Sequence, residues 1–164
     1  MYINTQGGLF KSPESLLEHM EEFRYIEFTS LMSPLEVLIN KQGSCHDQVM
    51  LEMQELAEEG FNPKAKFIIA VNSDGQGQET HSFVYYYYDG SWCWFENAWK
   101  DLRGIRRYST EDELLDSVMF AFGERNAFDI LYIADFIPSE HYVGEDLQTL
   151  VDVCMNSAEE YKID

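Results

Sequence analysis

A predicted β-hairpin in residues 80–97, which read THSFVYYYYDGSWCWFEN, decides the fold of this chain. Aromatic and β-branched residues fill both arms, and Asp89-Gly90 lies between them. Asp-Gly between two such runs is the strongest short-range signal for a two-residue turn, because both turn positions need a positive φ. We therefore expect residues 80–88 and 91–97 to form adjacent antiparallel strands.

The turn also predicts which side chains share a face of the sheet. If Tyr88 pairs with Ser91, the numbers of paired residues have a constant sum. Because side chains alternate between the two faces of a strand, His81 and Glu96 then lie on one face as diagonal neighbours, and Asn97 lies on the other. An odd-length turn or a bulge would bring Asn97 to that face instead. Glu96 is the predicted partner of His81, with Asn97 in reserve.

Helices come first along the chain, and further strands flank the hairpin. Ser-Pro pairs and the turn residues around each apolar run indicate where these elements begin and end. The predicted helices span residues 12–23, 33–40, 44–59 and 145–161, with another beginning at 109; further strands span 67–71 and 129–136. The 164 residues, 45% of them hydrophobic, are predicted to form a single α+β domain over 1–164, N-terminal helices packed on an antiparallel sheet.

The composition excludes several classes of partner. A formal net charge of −19 at pH 7 disfavours binding to nucleic acid or to an anionic membrane surface. The acids are spread over the predicted helices, which favours a solvated surface, while mimicry of DNA toward a basic protein is the alternative. No apolar run approaches the ~20 residues of a membrane span, and no secretory signal is visible. Three cysteines without metal-like spacing fit the cytoplasm, and we expect neither metal nor cofactor.

Cys45 lies at the start of the third predicted helix, in the segment GSCHDQV of residues 43–49. A thiol at a helix N-terminus is shifted toward thiolate by the helix dipole and by free backbone N–H groups. Cys45 also lies one turn before Val49 on the apolar stripe, so its thiol points toward whatever the helix packs on. That position suits a core cysteine and a nucleophile equally. With His81 as base and Glu96 as its orienting group, Cys45 would complete a triad.

The order of these segments resembles the transglutaminase-like superfamily, whose core is shared with papain-like cysteine enzymes. The resemblance covers residues 43–99, about a third of the chain. GSCHD at 43–47 resembles the Gly-x-Cys-x-Asp at the head of the nucleophile helix, and HSFV at 81–84 resembles the His-x-Trp-Val that carries the catalytic histidine. WCWFE at 92–96 resembles the segment in which a tryptophan precedes the catalytic aspartate by four residues. Glutamate stands at 96 where that family has aspartate.

The resemblance implies a cysteine-dependent hydrolase or acyl transferase acting on an amide bond of a peptide or protein through Cys45, His81 and Glu96. Protease, amidase and transglutaminase chemistry remain open, with hydrolysis favoured because no calcium loop is visible. The alternative is a non-catalytic acidic binding or inhibitory module on the same fold. Oligomeric state is left open.

Two further residues are candidates for substrate binding. His46 adjoins Cys45 but points about 100° away around the helix, so we expect it to tune the thiol or bind substrate and not to act as the base. Trp94 shares the predicted face of His81, where it could contact substrate, although packing in the core is the simpler interpretation. Cys93 and Cys154 are predicted to be core residues.

Overall fold

The computed structural model describes residues 9–75, 77–126 and 128–162. Within them the chain forms five α-helices and eight β-strands. The helices are α1 Pro13–His19, α2 Pro34–Asn40, α3 Cys45–Glu58, α4 Glu111–Arg125 and α5 Leu147–Met155. The strands are β1 Arg24–Tyr25, β2 Gln42–Gly43, β3 Lys64–Val71, β4 Gln78–Tyr88, β5 Ser91–Glu96, β6 Gly104–Tyr108, β7 Ile130–Asp135 and β8 Glu159–Glu160.

Six of the strands form one antiparallel sheet in the order β6-β5-β4-β3-β7-β8. The predicted α+β class is confirmed. The two remaining strands, β1 and β2, make a separate parallel pair directly before α3, with Tyr25 opposite Gly43. This small pair lies at the start of the helix that carries Cys45.

The predicted hairpin forms with the predicted register. Asp89 and Gly90 have φ values of 51° and 78°, as a two-residue turn between twisted strands requires. Tyr88 pairs with Ser91, and the pairing of β4 with β5 ends at Val84↔Phe95. Strand β4 therefore extends past its pairing with β5, and His46 at the start of α3 contacts Thr80 and Ser82 in this extension.

Each face of the sheet carries its own apolar core. One core joins α1, α2, α3 and α5 to side chains such as Phe67, Val84 and Phe95. The other joins α4 to side chains such as Ile68, Phe83 and Trp94. Because side chains alternate between the two faces of a strand, neighbouring residues of β3, β4 and β5 lie in different cores. Within the described residues, no helix is long and apolar enough to cross a membrane.

The C-terminal segment differs from the sequence-based expectation. The helix predicted over 145–161 is wrong in its second half, since α5 ends at Met155 and the chain then forms β8. Strand β8 pairs with β7, and the Tyr161 N–H donates to the Leu131 carbonyl at 2.8 Å. The free edge of β7 offers backbone hydrogen-bond partners to residues 159–161, and this pairing outweighs local helix propensity.

Strand β6 was not predicted from the sequence. Its residues are only partly buried, and its two arginines break the alternation of apolar and polar residues that marks a strand. Hydrogen bonding to β5, from Trp92↔Tyr108 to Glu96↔Gly104, defines it instead.

Candidate active site

Polar contacts hold the start of α3 in place. The Ser44 hydroxyl accepts from the Asp47 N–H, and Asp47 Oδ2 accepts from the Ser44 N–H at 2.9 Å, so the two residues form a capping box. Asp47 Oδ1 accepts a further bond from the Met32 N–H at 2.9 Å. A Cβ on Gly43 would lie 2.8 Å from the Asp47 Cβ, so a glycine fits there best. Three residues of the GSCHD segment thus serve to position Cys45.

His81 and Glu96 form a buried pair. His81 Nε2 donates to Glu96 Oε1 at 2.9 Å, and the two side chains are only 2% and 3% exposed. Glu96 Oε2 accepts from the Trp99 N–H at 3.2 Å, which holds the carboxylate from its other side. The Trp99 ring stacks on the imidazole with centroids 3.7 Å apart, and fixes its plane. Because Nε2 is engaged by the carboxylate, Nδ1 is the ring nitrogen left for the thiol.

The ionisation of Cys45 and His81 is mutually supporting. Burial by itself raises the pKa of the Cys45 thiol, but the imidazoles of His46 and His81 outweigh burial and hold this pKa well below its usual range. Burial lowers the pKa of His81, but the Glu96 carboxylate and then Cys45 raise it to about 9. At neutral pH these shifts favour a thiolate beside an imidazolium, the form in which a cysteine attacks a carbonyl.

Asn97, the alternative candidate for the third member of the triad, hydrogen bonds to residues other than His81. It lies on the opposite face from Glu96, where its Nδ2 donates to Gln48 Oε1 at 2.8 Å. Gln48 Nε2 in turn donates to the Gly43 carbonyl at 3.0 Å, and Arg103 Nε donates to Asn97 Oδ1 at 2.9 Å. Asn97 therefore ties the hairpin to α3, and Glu96 is the residue that hydrogen bonds to His81.

His46 is buried against the sheet. Its Nδ1 lies 2.7 Å from the Ser82 hydroxyl and its Nε2 lies 3.0 Å from the Thr80 hydroxyl. Its ring stacks on Phe67 at 4.7 Å and meets Phe28 edge-on. These contacts fit the predicted tuning of the thiol, since His46 acts on the pKa of Cys45.

Trp94 lies in the core of the α4 face, and Trp99 is the tryptophan that stacks on His81. Both His46 and Trp94 are about 1% exposed and present no surface to a substrate in this conformation. Their predicted role in substrate binding gains no support from this arrangement.

Two residues of the site were not singled out from the sequence. Glu52 follows Cys45 by two helical turns and is buried, so burial and then the Glu96 charge hold the pKa of its carboxyl well above the usual range. The seven-residue spacing from Cys45 was a visible signal for it. Tyr25 reaches the thiol from β1, where burial and then Cys45 raise the pKa of its phenol. No sequence signal announces the pairing of two-residue strands.

The chain matches no protein-family model and no curated protein. The functional interpretation therefore rests on the geometry of Cys45, His81 and Glu96.

Proposed function

We propose that this protein is a cysteine-dependent acyl enzyme, a hydrolase or acyl transferase acting on an amide bond of a peptide or protein. Cys45 is the nucleophile, His81 is the general acid and base, and Glu96 orients His81. The observation that carries the proposal is the buried His81–Glu96 pair, 2.9 Å apart, beside a thiol at a helix N-terminus. A cysteine that only fills space needs neither an adjacent imidazole nor a carboxylate behind that imidazole.

The chemistry follows from these positions. The Cys45 thiolate attacks the amide carbonyl carbon, a C–S bond forms, and the carbonyl electron pair moves to the oxygen. Backbone N–H groups at the start of α3 that lack an intrahelical acceptor can donate to this oxyanion. The imidazolium of His81 then protonates the leaving amine as the C–N bond breaks. Water or a second amine, deprotonated by His81, attacks the acyl-enzyme and releases the Cys45 thiolate.

We propose that the fold is a transglutaminase-like, papain-like core. Its support is that the residues of the resemblance lie together: Gly43 and Asp47 around the helix start, Cys45 at its first position, and His81 and Glu96 on adjacent strands. All three cysteines are unpaired and buried, which favours a reducing compartment such as the cytoplasm.

Active-site labelling tests the proposal. We expect iodoacetamide and p-nitrophenyl acetate to modify Cys45 ahead of Cys93 and Cys154, as read by peptide mass spectrometry. Burial raises the pKa of both other thiols, so they serve as internal controls. Equal labelling of the three cysteines, or acyl turnover that persists in Cys45→Ala, would refute the proposal. Adding a fluorescent primary amine to a peptide substrate then separates acyl transfer from hydrolysis.

The second candidate is a non-catalytic acidic binding or inhibitory module, a DNA mimic among the options. Two observations favour it: Cys45 is only 4% exposed, and the net charge is −19. This candidate predicts salt-sensitive association with a basic protein that is unchanged in Cys45→Ala. The labelling experiment and this binding assay have opposite expectations for that variant.

A further inference from the structure

The Tyr25 side chain hydrogen bonds to the Cys45 thiol. It is 48% exposed, whereas His81 and Glu96 approach the site from the interior and are almost fully buried. The contact has a backbone basis, because β1 pairs in register with β2, two residues before Cys45. The Arg24 N–H donates to the Lys41 carbonyl at 2.9 Å and holds β1 in place. Of Tyr25, His81 and Glu96, Tyr25 is therefore the one that reaches the surface beside the sulfur.

The phenol is a hydrogen-bond donor at this position. Burial raises its pKa, Cys45 raises it further, and the carboxylates of Glu79 and Glu27 act in the same direction. The hydroxyl thus keeps its proton at neutral pH. Tyr25 therefore does not compete with His81 as a base.

The start of α3 has few backbone donors left for an oxyanion. A helix begins with N–H groups that have no intrahelical acceptor. Here the Asp47 N–H donates to the Ser44 hydroxyl, and the Gln48 N–H donates to the Ser44 carbonyl. At most the N–H groups of Cys45 and His46 remain. A side-chain donor next to the sulfur would complete a set that stabilises the tetrahedral oxyanion.

We propose that Tyr25 is a further catalytic residue, whose hydroxyl donates to the Cys45 sulfur in the resting protein and to the substrate oxyanion during attack. The step transfers no proton: the hydroxyl exchanges a sulfur acceptor for the oxygen on which negative charge develops. This inference rests on the proposed function, since it needs Cys45 to form an acyl-enzyme.

The experiment compares two reactions of Cys45 in Tyr25→Phe. Acylation by p-nitrophenyl acetate passes through an oxyanion, whereas alkylation by iodoacetamide does not. We expect acylation to fall by about 100-fold, the usual effect of losing one oxyanion donor, while the alkylation rate across the pH range changes by less than about threefold. Tyr87→Phe is the matched control, since Tyr87 is similarly exposed but pairs with Trp92 near the far end of β4.

Each other outcome has a distinct meaning. An equal fall in both reactions would show that Tyr25 acts only on the thiol, and an equal rise would show that it only shields it. Unchanged acylation would show that it has no role in the reaction. All three results overturn the inference and leave the proposed function intact. If Cys45 of the unaltered protein is not acylated at all, the inference and the proposed function both fail.

Discussion

Replacing Glu96 by glutamine tests how the charge of His81 is maintained. Glutamine matches glutamate in size and retains an oxygen that can accept from His81 Nε2, which lies 2.9 Å from Glu96 Oε1. The substitution removes the negative charge, and it also removes the oxygen that accepts from the Trp99 N–H. Burial lowers the pKa of His81, and the Glu96 charge is the largest contribution that raises it, to about 9 from 6.5. We therefore expect this pKa to fall in Glu96→Gln.

The structure sets the size of the effect. A rise from 6.5 to about 9 corresponds to about 3 kcal/mol in favour of the imidazolium. A hydrogen bond to a neutral acceptor is roughly half as strong as one to a carboxylate, so about half of this preference should be lost. That loss lowers the imidazolium-to-imidazole ratio about tenfold. The thiolate of Cys45 loses the matching stabilisation.

Two measurements follow the change. NMR titration of the His81 ring protons should show a midpoint about one pH unit lower in Glu96→Gln. At pH values between the two midpoints, iodoacetamide should alkylate Cys45 more slowly in Glu96→Gln than in the unaltered protein. Glu96→Asp keeps the charge but withdraws the carboxylate by about 1.5 Å, so its His81 midpoint should lie between those of the unaltered protein and Glu96→Gln. Glu124→Gln, an exposed position on α4, is the control. An unchanged His81 midpoint in Glu96→Gln would refute the orienting and electrostatic role of Glu96.

Three further substitutions test the supporting structure. Gly43→Ala should lower the free energy of unfolding by about 1–3 kcal/mol in urea titrations, because its Cβ would lie 2.8 Å from the Asp47 Cβ; Gly123→Ala, with its nearest atom at 3.8 Å, should not destabilise. Burial raises the pKa of Glu59 from 4.5 to about 7, so between these pH values the folded state binds more protons than the unfolded state and the free energy of unfolding falls as pH rises. Glu59→Gln should flatten this slope. An unchanged slope would contradict the burial of the two Glu59 oxygens. Burial raises the pKa of the Glu52 carboxyl well above its usual range, so the folded state loses stability as pH rises through that raised pKa. Glu52→Gln should lessen this loss, and an unchanged pH dependence of the melting temperature would contradict the burial of Glu52.

The sequence predicted the parts of the site that depend on local rules. A two-residue Asp-Gly turn has one favoured geometry, and strand alternation then places His81 and Glu96 on one face. The helix predicted over 44–59 begins at Cys45 in the structure, where Ser44 is the N-cap in a capping box. Turn type, alternation and capping each involve only a few residues, so they can be read from a single sequence.

The remaining features depend on contacts between distant segments. Tyr25 reaches the thiol only because β1 pairs with β2, and each of these strands has two residues. The stacking of Trp99 on His81 depends on the path of the chain after β5, which no periodicity encodes. Strand β8 likewise forms because β7 offers a free edge. Tertiary hydrogen bonds and packing decide these features, and local propensity does not.

The central claim is that the imidazoles of His46 and His81 hold Cys45 as a thiolate. It is tested most directly by titrating the ultraviolet absorbance of the thiolate and subtracting the same titration of Cys45→Ser, which removes the contributions of Cys93 and Cys154. The account predicts that the difference has its midpoint well below the ordinary cysteine pKa of about 8.5. A midpoint at or above that value would show that burial governs the thiol, and it would contradict the account.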